Sequence, residues 1–397
     1  MNTNTVYAVP VGWRLCVADE IKSPEPYSCV AGPFGSEISA KYFVDEGVPV
    51  IRGSNLRDDL TRFISDSFTF VSEARAQEYR PQHVRGGDLI FTCWGTIGQV
   101  GLVPDDGPFP EYIISNKQLK LRVDQDIADP VFCFYYFASP RYAEYIRNRG
   151  IGGAVPGINL GILKSLPIAL PPLEVQKKIS DVLSAYDNLI ENNRRRMELL
   201  EEAARQLYRE WFVRLRFPGR EHTRILKGVP EGWEQKPLGD VATLNYGKGL
   251  KEDDRREGTV PVYGSSGIVG NHDEPLVTGP GIIVGRKGNV GSVFWNDSPF
   301  WPIDTVYFIS PEESSLYLFH CLQHLPFQSS DVAVPGLNRS YAHSLKILLP
   351  KTTIWNQFED IVAPMFAQMA KLRGMNQKLR TARDLLLPTL MSGEIAV

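Results

Sequence analysis

A segment from the middle of this chain returns near its end. Ala154-Val-Pro-Gly-Ile-Asn159 reappears as Ala333-Val-Pro-Gly-Leu-Asn338, and the ungapped pairing of Ala154–Pro171 with Ala333–Pro350 gives 10 identities in 18 positions. Ordinary residue usage gives about one. Upstream, Val9-Pro-Val-Gly-Trp13 matches Val229-Pro-Glu-Gly-Trp233 at an offset of 220 (229 − 9). Val48-Pro-Val50 matches Val260-Pro-Val262 at 212, Gly95-Thr-Ile-Gly98 matches Gly288-Asn-Val-Gly291 at 193, and the long match lies at 179. Offsets that fall in order describe one ancestral unit whose second copy has lost loop residues. Two units of roughly 200 residues are too long for a solenoid and too few for a propeller. They read as a duplicated domain, which suits a ligand with two related halves.

The bulk of the chain is consistent with two such domains. Its 397 residues, 43% hydrophobic and 22% charged, describe a globular protein with room for two or more cores. No stretch approaches the roughly 20 apolar residues of a membrane span. Met1-Asn-Thr-Asn-Thr5 lacks the basic segment and apolar run of a secretory signal. Cys16, Cys29, Cys93, Cys133 and Cys321 are odd in number and form no CxxC, so they read as reduced thiols of a cytoplasmic protein. A net charge of −3 argues against a uniformly basic nucleic-acid binder. It leaves room for local basic patches, because phosphate responds to the local field.

Downstream of each repeated segment the pattern changes. Glu174 to Phe212 contains no proline or glycine, and a seam recurs at steps of three and four: Ile179, Leu183, Tyr186, Ile190, Asn193, Met197, Leu200, Ala204, Leu207, Trp211. Pro171-Pro172 suits the entry to this helix, and Pro218-Gly219 ends it. The second copy continues Phe358, Val362, Met365, Met369, Leu372, Asn376, Leu379, Arg383, Leu386, Leu390. Seams this long predict two helices paired as an antiparallel coiled coil, with the asparagines penalising other registers. The alternative is two amphipathic helices, each packed on its own domain.

Before each helix lie short β-type runs bounded by turn residues: Val48–Arg52, Asp88–Thr92, Gln118–Val123, Gly281–Val284, Ser292–Trp295 and Thr305–Ile309. Helical stretches follow around Val131–Ile146 and Ser314–Leu325. The expected fold class is α+β: two similar mixed domains, each with a strongly bent sheet, separated by two long helices. The expected boundaries are 1–170, 171–217, 218–350 and 351–397.

No Walker A, HExxH, Gly-x-Ser-x-Gly or Asn/Asp-Pro-Pro-aromatic motif is present in the sequence. His320, Cys321 and His324 have metal-like spacing, but a zinc site needs further ligands, and the first unit has no copy of them. Packing of half-polar side chains is the better reading. The glycine-rich turns Cys93-Trp-Gly-Thr-Ile-Gly-Gln99 and Gly285-Arg-Lys-Gly-Asn-Val-Gly291 are more suggestive, since they hold the same place in both units. Their glycines allow close backbone approach, and Trp94, Thr96, Gln99, Arg286, Lys287 and Asn289 become candidate DNA contacts. Neighbouring polar loops add Arg52, Asn55 and Lys117 in the first unit, and Lys248, Lys251, Tyr263 and Ser265 in the second. Arg339, after the repeated segment, is a candidate for phosphate. The repeated Ala-Val-Pro-Gly-Ile/Leu-Asn turn itself reads as a hinge into the long helix. A shared frame with divergent tips is what two readers of different sequences would have.

Three further segments carry a resemblance: Leu166-Pro-Ile-Ala-Leu-Pro-Pro-Leu-Glu-Val-Gln-Lys-Lys-Ile179, Leu207-Tyr-Arg-Glu-Trp-Phe212 and Arg383-Asp-Leu-Leu-Leu-Pro-Thr-Leu-Met-Ser-Gly-Glu-Ile395. With the alternation of variable units and long helices, the whole chain resembles the DNA-specificity (S) subunits of type I restriction-modification systems. The second copy departs from the first of these segments, with Lys351-Thr-Thr-Ile-Trp355 replacing the Pro-Leu-Glu-Val-Gln stretch. The resemblance implies two target-recognition domains, each reading half of a split, asymmetric double-stranded DNA site, and paired helices that set the distance between the halves. It also implies a non-catalytic chain bound to two methyltransferase (M) subunits and to restriction (R) subunits. Those partners would supply S-adenosylmethionine, ATP and Mg. Two other readings are the specificity module of a fused type II-like methyltransferase-nuclease and a structural coiled-coil adaptor.

Overall fold

The computed structural model describes residues 6, 7, 9–35, 37–152, 156–328 and 336–397. Ala154 and Val155 of the first repeated segment, and Ala333, Val334 and Pro335 of the second, lie outside the described residues. The chain forms two compact units, Met1–Glu191 with Asn376–Val397, and Asn192–Met375. The expected boundaries set the long helices apart as segments of their own, whereas each helix is divided between the units. The reason is burial. Ile179, Leu183, Leu387 and Leu390 belong to the core built around Phe132–Phe137, while Ala204, Tyr208, Phe358, Val362 and Phe366 belong to the core of the second unit.

Each unit repeats one topology. In the first, Cys29–Ala31, Gln118–Leu121, Leu89–Thr92 and Val100–Leu102 form an antiparallel four-stranded sheet in that order. In the second, Asn245–Tyr246, Val306–Ile309, Gly281–Gly285 and Val293–Asn296 do the same. A separate sheet in each unit contains one parallel pair at matching positions, Val50 beside Ile113 and Val262 beside Trp301. The single bent sheet expected from sequence is therefore two sheets. A two-stranded ribbon closes each unit, Arg14–Val17 with Pro167–Leu170 and Glu234–Pro237 with Lys346–Leu349. Both ribbons start from the repeated Gly-Trp turn, where Gly12 (φ 88°) and Gly232 (φ 79°) hold left-handed backbone. The expected helical stretch 131–146 is two helices, Pro130–Ala138 and Pro140–Arg147, because Pro140 forces Ser139 out of the helical region (ψ 142°).

The long helices run Leu173–Tyr208, continued by a wide π-helical turn at Arg209–Val213, and Thr352–Met391. Every seam residue named from the sequence is buried or half-buried. Pro364 and Pro388 do not interrupt the second helix; both lie on its exposed side, where a carbonyl freed by the missing N–H can be solvated. In the first unit the helices pair antiparallel: Asp187 meets Arg383 (2.6 Å), and Asn376 donates its side-chain N–H to the Ile190 carbonyl (3.0 Å). In the second unit, Phe358 packs on Tyr208, Trp211 and Phe212.

Polar side chains fix each helix to its domain. In the first unit Gln176 accepts from the Asp129 backbone N–H (2.8 Å) and donates to the carbonyls of Ile127 and Pro171, while Ser180 donates to Asp129 (2.5 Å). Asp129 also caps the Pro130–Ala138 helix. The repeat offset places Glu359 where Ser180 stands (180 + 179), and Glu359 accepts from Tyr317 N–H (2.7 Å) at the start of the Leu316–Leu322 helix. Trp355, in the place of Gln176, packs tilted against Tyr317 (4.4 Å between centroids, 41° between planes).

Arg383 is 4% exposed and is held by Asp187 and by the Asp59 carbonyl (3.1 Å), while Asp187 also accepts from Tyr135. Arg383→Ala takes the closer of two cations from the half-buried Asp187, leaving Arg62 at 3.6 Å, and we expect it to destabilise the first unit by about 1–3 kcal/mol. Arg383→Lys, which keeps the charge and loses the fork, should fall between the two. Urea unfolding of the full chain measures both, and an Ala variant as stable as the parent would show that the pair contributes nothing.

His320 occupies a different setting. It is 1% exposed and packed among Tyr208, Phe319, Phe358 and Phe366, and its Nδ1 faces Gln323 at 3.3 Å. Burial pushes its imidazole down to about 4. The folded state resists protonation, so the stability it permits is complete above the unfolded value of about 6.5 and is lost as pH falls from there to 4, to a limit of about 3 kcal/mol. Melting of the full chain between pH 4 and 7 should show this slope, and His320→Leu should flatten it; an unchanged slope in the variant would assign the dependence elsewhere.

Candidate nucleic-acid interface

Each four-stranded sheet ends in a glycine turn that the rest of its unit grips by main-chain bonds. In the first unit the Cys93 N–H donates to the Lys117 carbonyl (2.8 Å), and the Cys93 carbonyl accepts from Ile158 N–H (3.0 Å). In the second, Arg286 N–H donates to Thr305 (2.9 Å), and the Arg286 carbonyl accepts from Leu337 N–H (2.8 Å). Trp94 bridges to Gly157 and Lys287 to Gly336. The repeated segment is thus the clamp of the glycine turn and not a hinge into the long helix. Its asparagines, Asn159 and Asn338, cap the short helices Leu160–Lys164 and Arg339–Ser344, and a ribbon strand separates these from the long helices. Within the turns, Gly95 (φ 84°), Gly98 (φ 96°), Gly288 (φ 76°) and Gly291 (φ 77°) take conformations other residues rarely adopt, which explains why the glycine spacing recurs while its neighbours change.

In the first unit Trp94 is 49% exposed, and Thr96 donates to Gln99 Oε1 (2.6 Å), which also accepts from Thr92 (3.2 Å). Lys117 is exposed on the turn that receives Cys93. Arg52 is exposed on the turn after Val48–Ile51, and that strand meets the same turn through Ser115 N–H to the Ile51 carbonyl (3.0 Å). Asn55 is only 1% exposed: its Oδ1 accepts from Arg52 N–H, and its amide donates to the Ile64 and Asp66 carbonyls. It shapes the turn that carries Arg52.

The second unit brings its cations together around an aromatic. Tyr246 lies 4.9 Å beneath the guanidinium of Arg286 and 4.9 Å beneath that of Arg339. Tyr307 backs Arg286 from a further 5.7 Å contact. The Asp304 carbonyl accepts from Arg286 (3.1 Å), and its carboxylate stands 3.7 Å from the Lys287 ammonium. Asn289 donates to Ser266 (3.3 Å). Lys248 is exposed over Trp301 (5.8 Å), and Lys251 is exposed. Tyr263 and Ser265 are buried beneath the turn. The Tyr263 hydroxyl donates to Asn296 (3.2 Å), and Ser265 anchors the turn through Asn289 N–H and Ser292.

The sequence reading missed Tyr246 and Phe34 as tip residues. Tyr246 opens a loop already singled out for its lysines. Phe34 sits between glycine and proline on one side and glycine on the other, a placement for an aromatic that serves no core. Among the described residues no group of His, Cys, Asp and Glu is arranged to hold a metal, and no helix is long and apolar enough to cross a membrane.

Residues 36–202 and 230–372 match the family model of the type I restriction modification DNA specificity domain, one match on each copy of the repeat. The chain is similar to the type I restriction enzyme MjaIX specificity subunit of Methanocaldococcus jannaschii, at 24% identity over 98% of this chain and 95% of that one. It is similar to the HindI specificity subunit of Haemophilus influenzae at 23% identity, over 73% and 83% of the two chains. The crystal structure of a type I restriction-modification S subunit from M. genitalium has the same fold, with a TM-score of 0.57 at 17% identity over 98% of this chain and 97% of that one.

Proposed function

The chain belongs to the type I restriction-modification DNA specificity family, and from that premise we propose that it is the non-catalytic sequence reader of its complex. Each unit reads one half of a split, asymmetric duplex site through its glycine turn and the loops beside it. The two long helices set the gap between the halves and, with the domains, hold two methyltransferase subunits and the restriction subunits. Those partners bring S-adenosylmethionine, ATP and Mg; this chain contributes recognition and acts in the cytoplasm.

One observation carries the reading: two units of one topology present chemically different side chains from the same main-chain frame. Base edges in a major groove are told apart by such side chains, each good bidentate contact discriminating by about 1–3 kcal/mol. Cations at the tips add affinity that falls with salt. A fused methyltransferase-nuclease module would call for an Asn/Asp-Pro-Pro-aromatic motif, which the sequence lacks. A bare coiled-coil adaptor leaves the tips without a role.

Arg286→Ala with Lys287→Ala should weaken target binding by the complex, lower the slope of log K against log salt by about two, and leave subunit assembly intact. Anisotropy titrations at several salt concentrations test this; unchanged affinity rejects the two residues as contacts. A matched heptad inserted into both long helices adds about 10 Å, or about three base pairs. Methylation mapping in a co-expressing strain should find the gap in the target lengthened, and an unaltered gap rejects the spacer role.

A further inference from the structure

The two tips share a frame and differ in chemistry at matched positions, and from this we infer that the first unit grips the bases of its half-site by aromatic contact of Phe34 and Trp94, where the second places cations. The inference rests on the proposed reading of the chain as a two-headed DNA reader and assigns each head its chemistry.

Position by position, the main chain makes the comparison strict. Trp94 and Lys287 are equivalent, each bridging to the glycine of its clamp, Gly157 or Gly336. The loops that leave the edge strands are equivalent as well. Gly32 and Gly247 both run so close to the neighbouring main chain that a Cβ would lie 1.9 Å from the Ser115 carbonyl oxygen or 2.1 Å from that of Ile303. Counting on from these glycines, Pro33 stands where Lys248 does, and Phe34 follows. The second tip therefore gathers Lys248, Arg286, Lys287 and Arg339, and the first presents Phe34 and Trp94 in the corresponding loops, with Arg52 and Lys117 beside them.

Both aromatics are held out from the core. Phe34 is 88% exposed, and its loop is fixed by the Asn116 amide donating to the Gly35 carbonyl (2.7 Å). The next residue, Lys117, receives the Cys93 N–H beside Trp94, so both aromatic loops are tied to adjacent residues of one turn. Gly157 backs the Trp94 indole so closely that a Cβ there would come within 2.9 Å of ring atoms, while half of the residue's surface stays open. Single surface aromatics are ordinary, but two on loops tied to adjacent residues of one turn mark a contact surface. The equivalent cationic tip marks that partner as a polyanion. What a duplex offers to an aromatic is the apolar part of its bases, the thymine methyls and the base faces.

The test uses the full chain in complex with its methyltransferase subunit, on the duplex that methylation mapping identifies, with affinity measured across a salt series. Phe34→Ala with Trp94→Ala should lower target affinity about tenfold with the salt slope unchanged, because no ion is released by an aromatic contact. Lys117→Ala, on the same turn, should lower the slope by about one. Phe34→Ala alone, at a position too exposed to support the fold, should weaken binding in the same direction. Unaltered affinity in the aromatic variants, or a slope that falls with them, overturns the inference. Loss of the methyltransferase subunit from Phe34→Ala also overturns it, since the aromatics would then be protein-docking residues. A parent complex with no sequence preference defeats the underlying reading, whereas a selective parent matched by its aromatic variants defeats this inference alone.

Discussion

The glycine turns on which the two units differ hang from main-chain hydrogen bonds that do not depend on side-chain identity. The N–H and the carbonyl of one residue in each glycine turn, Cys93 or Arg286, are taken up by opposite neighbours: the start of the next strand and the repeated Gly-Ile/Leu segment. A turn pinned on both sides cannot wander, so a side chain on it projects from a fixed origin. Because the pins are backbone groups, tryptophan and lysine can occupy the same bridge position, beside Gly157 and Gly336, without disturbing it. This separation of frame from tip lets one topology serve two chemistries.

The long helices follow a different rule. Their seams are apolar where each domain core reaches them and polar at chosen points: Asn376 reaches the Ile190 carbonyl, and Arg383 reaches Asp187. Such groups stabilise little compared with apolar packing, but they leave buried polar atoms unpaired in any shifted register. The ties between helix and domain show the same job done by different residues. Asp129, Gln176 and Ser180 hold the first unit, and Ser315, Glu359 and Trp355 hold the second. Two copies of one fold have kept the geometry of a capped helix docked on a long one while exchanging its chemistry.

A net charge of −3 conceals where the cations stand. Arg286 and Arg339 flank Tyr246, and Asp304 steadies Arg286 and Lys287. Stacked guanidiniums keep their outward N–H groups available while losing little side-chain freedom on binding. Local order, and not total charge, makes that tip suited to an anion.

The sequence by itself determined the duplication, six of the strands and the helical seams, because each is written as a local period or a repeated string. It also located the glycine turns, since positive φ restricts the residue type directly. It could not say what clamps those turns: the repeated segment read as a hinge, and only the tertiary structure seats it against Cys93 and Arg286, tens of residues away. It could not separate Asn55, Tyr263 and Ser265, whose polar atoms serve the scaffold, from Arg52 or Lys248, which are exposed, because composition is the same for an inward and an outward polar side chain. Nor could it divide the long helices between the two units. Period fixes which face of a helix is apolar; which core covers that face is decided by contacts far apart in the chain.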